Sequence, residues 1–454
     1  MRVWRPTTAN KTGLDILTLA PPLPPRMTGG ESESPPLTPP LKRGGTSIFI
    51  SAGEASGDFH GSFVVQNLKE QLPNASFFGL GGDRMQGQGV ELLFHARKLA
   101  FMGFAEVVRH LPYVMHVRKT VLREIMARKP ELIILIDYPG LHFSLLRYLN
   151  SRKSVYKPRI LYYIAPQVWA WKAARGPELA QLAHKIAVIF PFEEQLFQGF
   201  GCDARFVGHP LLDETGEIPP RGEFLKSIGI EPDARVLGIL PGSRKQELRR
   251  HLPVVVETVR ILKRLIPDLV PILAESPTVA PEFYDSYMTP PSPPAQRGGG
   301  SERPPLAPPL KRVGAEIIRA RGVSHELLAH ANASLVKSGS STVEAAFFGN
   351  PYVVFYKTSA LSFAIGKRIV KVPHIAMANL LAGEEVVPEF VQDDANPDKL
   401  AGTLLPLLTV PDAIRNARAK LEKVRVQLGE PGAGKRVAEM AVELLGTDSG
   451  GEPR

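Results

Sequence analysis

From Thr46 onward, short runs of apolar, β-branched and aromatic residues alternate with longer stretches whose apolar positions recur at helical spacing. TSIFIS (46–51), ASFFGLGG (75–82), ELIILIDYP (131–139), RILYYIAP (159–166), KIAVIFP (185–191) and ARFVGHP (204–210) read as strands. A helix to about Leu72 follows the first, and helical patterns separate most of the others. A second series opens with RVLGILPGSR (235–244) and continues through LVPILAES, ANASLVKSG and PYVVFYK, again separated by helices; AEIIRARG (315–322) reads as helical. Near-continuous apolar strands alternating with helices are the pattern of a parallel sheet covered on both faces. Between the series the composition shifts to DETGEIPPRGEF, a linker signal. The expected fold class is therefore α/β, with two Rossmann-like domains facing a cleft, one over 46–215 and one over 216–395. C-terminal helices to about 446 and a tail over 447–454 complete the chain. Such domains bind ligands outside the carboxyl ends of their strands.

Composition narrows the class. The chain has 454 residues, enough for two cores, and 44% are hydrophobic, as in a globular protein. It holds no run of about 18 apolar residues and no secretory pattern at its start, so a cytoplasmic location is expected. The single cysteine, Cys202, excludes an internal disulfide and reads as a buried thiol. A net charge of +10 points to anionic partners. Part of that excess lies in a repeat: residues 21–45 and 290–314 align without gaps with 17 identities in 25 positions, and they hold 16 of the 43 prolines and a net charge of +4. Each copy contains PPLxPPLKR, a polyproline II sequence. Copies so far apart cannot share a core as stacked repeats do. They read as solvated insertions rather than as ligands for an aromatic groove. The first belongs to an N-terminal extension (1–45) expected to be disordered, and the second (289–314) interrupts the second domain.

The candidate chemistry lies at strand ends. In SAGEASGD (51–58) the small residues let backbone approach a ligand, and Glu54 is either a helix cap or a functional carboxylate. Asp137 ends the run LIILI and is either a cap for the next helix or a base facing the cleft. LPGSR (240–244) turns from strand into helix, so backbone N–H groups there meet an anion beside Ser243 and the fixed cation Arg244. KSGSSTVEAAF (337–347) repeats that geometry, with Ser340, Ser341 and Thr342 as caps or phosphate donors and Glu344 one turn on. Two such starts in one domain point to a diphosphate. Three motifs are set aside. GEPGAGK (429–435) has Arg436 where a Walker A loop needs Ser or Thr, and no strand precedes it. GLGG (79–82) lacks the third glycine of a dinucleotide fingerprint, and Asp393-Asp394 reads as a cap. No metal and no cofactor are expected.

SAGEASGD, IDYPG, APQVWAWK, FVGHP, LPGSR, GSSTVEAAFFGNPYVV and NLLAGEEVVPE occur in one order over roughly 46–445. With these motifs the chain closely resembles the lipid-A-disaccharide synthase family of GT-B-type glycosyltransferases. The resemblance implies transfer of a sugar from UDP-2,3-diacylglucosamine to 2,3-diacylglucosamine 1-phosphate, with inversion, to give a β-1,6 disaccharide and UDP. It implies Asp137 as the base and Glu54 as acceptor-orienting residue or acid–base partner. It also implies Glu344 on the ribose hydroxyls and Asn379 near the donor. The chain departs from the family's usual PDFN and NLLAGREVV runs at Gly140, His142 and Glu384.

Acylated substrates call for an apolar surface. The stretch 99–119 interleaves Phe101, Met102, Phe104, Val107 and Leu111 with Arg109, Arg118 and Lys119. It reads either as a buried helix or as an acyl-docking face in peripheral contact with inner-membrane lipid on the cytoplasmic side. Trp169 and Trp171 read either as interfacial residues or as core residues near the cleft, the core reading being preferred. Nucleic acid is not an expected partner, and a homodimer is compatible with the sequence. The competing readings are another UDP-N-acetylglucosamine enzyme of the GT-B type, such as a 2-epimerase or the peptidoglycan transferase, and a proline-rich scaffold.

Overall fold

The computed structural model describes residues 45–99, 111–151, 154–170, 172–288, 317–360, 363–364, 368 and 372–446. The first proline-rich block up to residue 44, the second block, the tail, Trp171 and the patch residues Phe101, Met102, Phe104, Val107 and Arg109 lie outside these residues.

Seven strands form the first sheet: β1 (Ser47–Ala52), β2 (Ser76–Gly81), β3 (Glu91–His95), β4 (Leu132–Ile136), β5 (Arg159–Tyr163), β6 (Lys185–Val188) and β7 (Asp203–Phe206). Their order is β3-β2-β1-β4-β5-β6-β7, and all pairs are parallel. The helices between them are α1 (Ala55–Gln71), α2 (Asp83–Gly87), α3 (Leu111–Arg128), α4 (Pro139–Leu149), α5 (Arg175–Leu182) and α6 (Pro191–Gly199). Strand β3 escaped the sequence reading because ELLFH is short and half-buried at a sheet edge.

After α7 (Leu211–Glu214) and α8 (Arg221–Ser227) comes a parallel sheet of order β10-β9-β8-β11-β12-β13. Its strands are β8 (Arg235–Leu240), β9 (Leu269–Glu275), β10 (Ile318–Arg321), β11 (Ala333–Lys337), β12 (Tyr352–Tyr356) and β13 (Glu389–Val391). The helices here are α9 (Lys245–Leu265), α10 (Pro281–Met288), α11 (Ser324–His330), α12 (Ser341–Phe347) and α13 (Met377–Ala382). AEIIRARG is thus not helical. Ile318 to Arg321 pair with Ile272 to Glu275 as the edge strand, and Arg319 is anchored by Glu275 and Asp285. Four to six residues are too few for periodicity to separate a strand from a helix turn. The second proline-rich block therefore joins α10 to an edge strand. The linker is also more ordered than its composition predicts: Arg221 donates to the carbonyls of Pro232, Ala234 and His330, and His330 to that of Pro219.

Each sheet is packed on both faces, as the apolar strands require. Phe49, Ile133 and Tyr162 point to one face of the first sheet, and Ile48, Ile50 and Ile134 to the other. The three closing helices separate. Helix α14 (Pro397–Thr409) buries Leu400 and Leu404 in the second domain, and α15 (Pro411–Gln427) buries Leu421 and Val424 there. Helix α16 (Ala433–Gly446) crosses back to pack Val437 and Met440 with α1 and β1. GEPGAGK is the crossover: Asp213 accepts from the amides of Gly432 and Gly434, and Arg436 donates to the carbonyls of Val207, Glu430 and Pro431. The Gly432 and Gly434 amides thus already have an internal acceptor.

Candidate active site

In each sheet the strand order reverses at one place, between β1 and β4 and between β8 and β11. Crevices at such switch points are where open α/β sheets bind ligands. The sequence candidates fall on these two crevices in pairs: Glu54 and Asp137 follow β1 and β4, and Ser243–Arg244 and Ser340–Glu344 follow β8 and β11.

At the first crevice Ala52 pairs with Ile136, so the chain leaves both strands side by side. Glu54 is the N-cap residue of α1 and is exposed; its side chain makes no capping bond. Asp137 and Tyr138 both have φ of 47°, in the left-handed region that non-glycine residues rarely adopt. The Asp137 carbonyl accepts from Tyr162 Oη at 2.6 Å and from His142 Nδ1 at 2.6 Å. A carbonyl can only accept, so His142 carries its proton on Nδ1. Its Nε2 then accepts from Ser51 Oγ at 2.8 Å. His142 is fully buried, which pushes its pKa down to about 4 and keeps the ring neutral. Burial pushes the Asp137 carboxyl up to about 6. The negative charge of Glu54 adds to the rise, and the Tyr138 amide opposes it. Gly53 completes the corner, since a methyl there would lie 2.2 Å from Tyr138 Cγ. Asp58, which ends the same motif, is structural: it accepts from the amides of Gly82, Arg84 and Met85 and so caps α2. Gly140, one of the departures, is exposed with open space where a side chain would go.

The second crevice is built differently. The turn before Arg244 is held from below by His251, which donates to the Pro241 carbonyl at 2.7 Å and accepts from the Lys357 amide at 3.1 Å. Gly242, at φ 119°, has a backbone conformation that a residue with a side chain rarely adopts. Ser243 and Arg244 are exposed at the start of α9. Ser340 is exposed, and Ser341 is partly exposed. Thr342 is fully buried, its hydroxyl donating to the Gly339 carbonyl at 2.7 Å, so it shapes the turn and does not face the crevice. Glu344 lies 3.8 Å from His325, and burial raises its pKa. Lys337, which the sequence reading passed over, ends β11 between the two loops with Nζ 3.4 Å from Glu247 Oε1. A lysine at a strand end looks like a solvated charge in sequence; only the pairing of β11 with β8 puts it here.

Asn379 is also structural. It is fully buried, accepts from the amides of Val386 and Val387, and donates to the Val387 carbonyl and to Glu389. All four of its hydrogen-bonding positions are filled within the NLLAGEEVVPE loop. Glu384 in that loop is exposed. Asp393 and Asp394 are not the cap of α14; Asn396 is, accepting from the Lys399 amide.

Between the crevices, Glu214 at the end of α7 lies 3.3 Å from His60 of α1. Burial, and then the charge of Glu344, push its pKa up to about 7, while His60 is pushed down to about 4 by burial. Trp169 is half-buried, donates to the buried Glu193 at 2.9 Å and meets Phe192 edge-on. Cys202 is buried, and its thiol is pushed up to about 12. On α3, Met115 is 62% exposed and Lys119 is exposed, whereas Arg118 turns inward to Ser144. No helix among the described residues is long and apolar enough to cross a membrane.

Two parallel Rossmann-like sheets, each with its own switch-point crevice, and a last helix that returns to the first domain define the GT-B fold. Solved structures with this fold include UDP-GlcNAc 2-epimerase from Neisseria meningitidis bound to UDP-GlcNAc (TM-score 0.56, 11% identity, 88% of this chain and 99% of that one). They also include CalG4, the calicheamicin glycosyltransferase (TM-score 0.52, 16% identity, 90% of this chain and 100% of that one). The family model for lipid-A-disaccharide synthetase matches residues 48–288 and 309–443. Lipid-A-disaccharide synthase of Geobacter metallireducens is 36% identical over 409 residues, 90% of this chain and 99% of the relative. That of Acidobacterium capsulatum is 39% identical over 401 residues, 88% and 96% respectively. The chain belongs to the lipid-A-disaccharide synthase family.

Proposed function

We propose that the protein transfers 2,3-diacylglucosamine from UDP-2,3-diacylglucosamine to 2,3-diacylglucosamine 1-phosphate, with inversion and without a metal ion, to form the β-1,6 disaccharide and UDP. The observation that carries this reading is Asp137, a largely buried carboxylate at the switch point whose pKa of about 6 suits a base working near neutrality. Asp137 takes the proton of the acceptor's 6-hydroxyl as that oxygen bonds to the anomeric carbon. The bond from that carbon to the UDP oxygen breaks, and UDP leaves with the electron pair. Glu54, across the corner, keeps the proton affinity of Asp137 high and is placed to orient the acceptor. Negative charge on the leaving diphosphate is met by Arg244, Lys337, the amides at the start of α9, and Ser243, Ser340 and Ser341. Glu344 binds the ribose hydroxyls. The exposed face of α3 at Met115 and Lys119, continuous in sequence with the apolar 99–111 stretch, is the side we assign to the acyl chains and to peripheral contact with the cytoplasmic face of the inner membrane.

The test is turnover of both acylated substrates by purified protein with chelator present, alongside Asp137→Asn. The expected result is an intact fold, β-linked disaccharide and UDP from the parent, and a loss of about 10²–10⁴ in kcat in the variant. An unaffected variant, or activity that depends on added metal, overturns the reading.

A further inference from the structure

The buried imidazole at position 142 does more than fill space beneath the base. We propose that His142 and Tyr162 are positioning residues that act on the Asp137 carboxylate through the peptide group between Asp137 and Tyr138, fixing its direction and making the Tyr138 amide a stronger dipole toward its charge. This rests on the reading of Asp137 as the base.

One peptide group links all the partners. Its carbonyl accepts from His142 Nδ1 and Tyr162 Oη, both at 2.6 Å. Its amide, that of Tyr138, lies next to the Asp137 carboxylate and favours the charged form. Hydrogen bonds onto a peptide oxygen polarise the whole group, so its N–H becomes a better donor. Two donors at the oxygen therefore strengthen the N–H dipole at the other end, which favours the charged carboxylate. The same two donors hold Asp137 and Tyr138 in the left-handed conformation, an arrangement that costs of order 1–3 kcal/mol per residue and persists only when surroundings impose it. Ser51, on β1, donates to Nε2 and holds the ring in the plane needed for the Nδ1 bond. The corner is thus tied to β1, β4, β5 and α4 at once. The other titratable or charged groups bearing on it are Glu54 before α1, Tyr113 of α3, Tyr138 itself, and Arg175 of α5, which acts on Tyr162.

Asparagine and glutamine separate the two ring nitrogens, because an asparagine amide reaches the place of Nδ1 and a glutamine amide that of Nε2. Kinetics across pH 5–9 with the full chain and both acylated substrates would compare His142→Asn, His142→Gln, Tyr162→Phe and Asp137→Asn. His142→Asn should stay within about threefold of the parent. His142→Gln should lose roughly 10–30-fold in kcat, with KM for the nucleotide donor within about twofold, and its acid limb should move up by about half a unit as the carboxylate loses support. Tyr162→Phe, which removes the second donor and little volume, should move the limb the same way with about a 3–10-fold loss. The proposal is overturned if Asn and Gln at 142 lose equally with an unmoved limb, or if Tyr162→Phe leaves the limb in place. In either case an inactive Asp137→Asn would leave the base assignment standing. Turnover by Asp137→Asn would remove that assignment and this proposal with it.

Discussion

The two switch-point crevices share one topology and are finished in opposite ways. At the first, the carboxylate we assign as the base is largely buried on left-handed backbone, and its own peptide carbonyl accepts from Tyr162 and from His142, which Ser51 holds from behind. At the second, Ser243, Arg244 and Ser340 stand exposed at helix starts, and the internal bonds lie underneath, in His251 and Thr342. A group that must move a proton in one direction gains from being fixed and desolvated before substrate arrives. Groups that neutralise a diphosphate must be open to receive it, and their donors are better left without internal partners.

The sharpest way to break this contrast is Asp137→Asn, which should separate activity from stability. Turnover falls by the factor given above, yet the protein should become more stable at neutral pH. The folded carboxyl holds its proton up to about pH 6, whereas the ordinary value is 3.8. Between those values the native state binds more protons than the unfolded chain, so the charge of Asp137 lowers stability as pH rises through that window. Asparagine removes this cost and tolerates the left-handed backbone. We expect roughly 1–3 kcal/mol of stabilisation at pH 7.5, fading towards pH 4, measured by denaturant unfolding. Equal stability of the two proteins at pH 7.5 would show that the corner is not desolvated. In the parent, kcat/KM should fall below about pH 6 as Asp137 takes up its proton.

At the open crevice the pattern should invert. Arg244→Ala and Lys337→Met should lower kcat/KM by about 10–100-fold and weaken UDP binding, with the acid limb unmoved. Arg244→Ala should leave stability nearly unchanged, while Lys337→Met leaves Glu247 without its cation and should cost about 1–2 kcal/mol. A limb displaced by either variant would mean that the crevices are electrostatically one site. Asn379→Leu should behave as a structural lesion, costing about 2–4 kcal/mol with kcat per folded molecule preserved. The smallest effect belongs to the inserted block. Deleting 290–314, which joins α10 to the edge strand β10, should shift neither kcat nor Tm beyond experimental error if the block is a spacer. A large loss would give it a structural or regulatory role.

Much of this was written locally in the chain. Parallel strands were legible because burial on both faces demands unbroken apolar runs, and the strand-end positions of Glu54, Asp137 and Arg244 came with them. Short or edge elements were not legible: ELLFH and IRAR carry too little periodicity. Polar residues in motifs were read by type, and Asn379 and Thr342 have the right type with their polar groups turned inward. His142 looked like a departure from the family's asparagine, yet Nδ1 occupies the reach of an asparagine amide.

By itself, then, the sequence determined the alternation of strands and helices, the two-domain division and the chemistry available at each strand end, because these depend on hydrophobic spacing and on neighbours along the chain. Tertiary structure alone decided which strand ends become neighbours. The switch points join residues about 80 to 100 positions apart. Only that pairing puts Glu54 beside Asp137 and Lys337 beside the turn at Arg244, and it encloses Asp137 deeply enough that solvation no longer holds its pKa at the ordinary value.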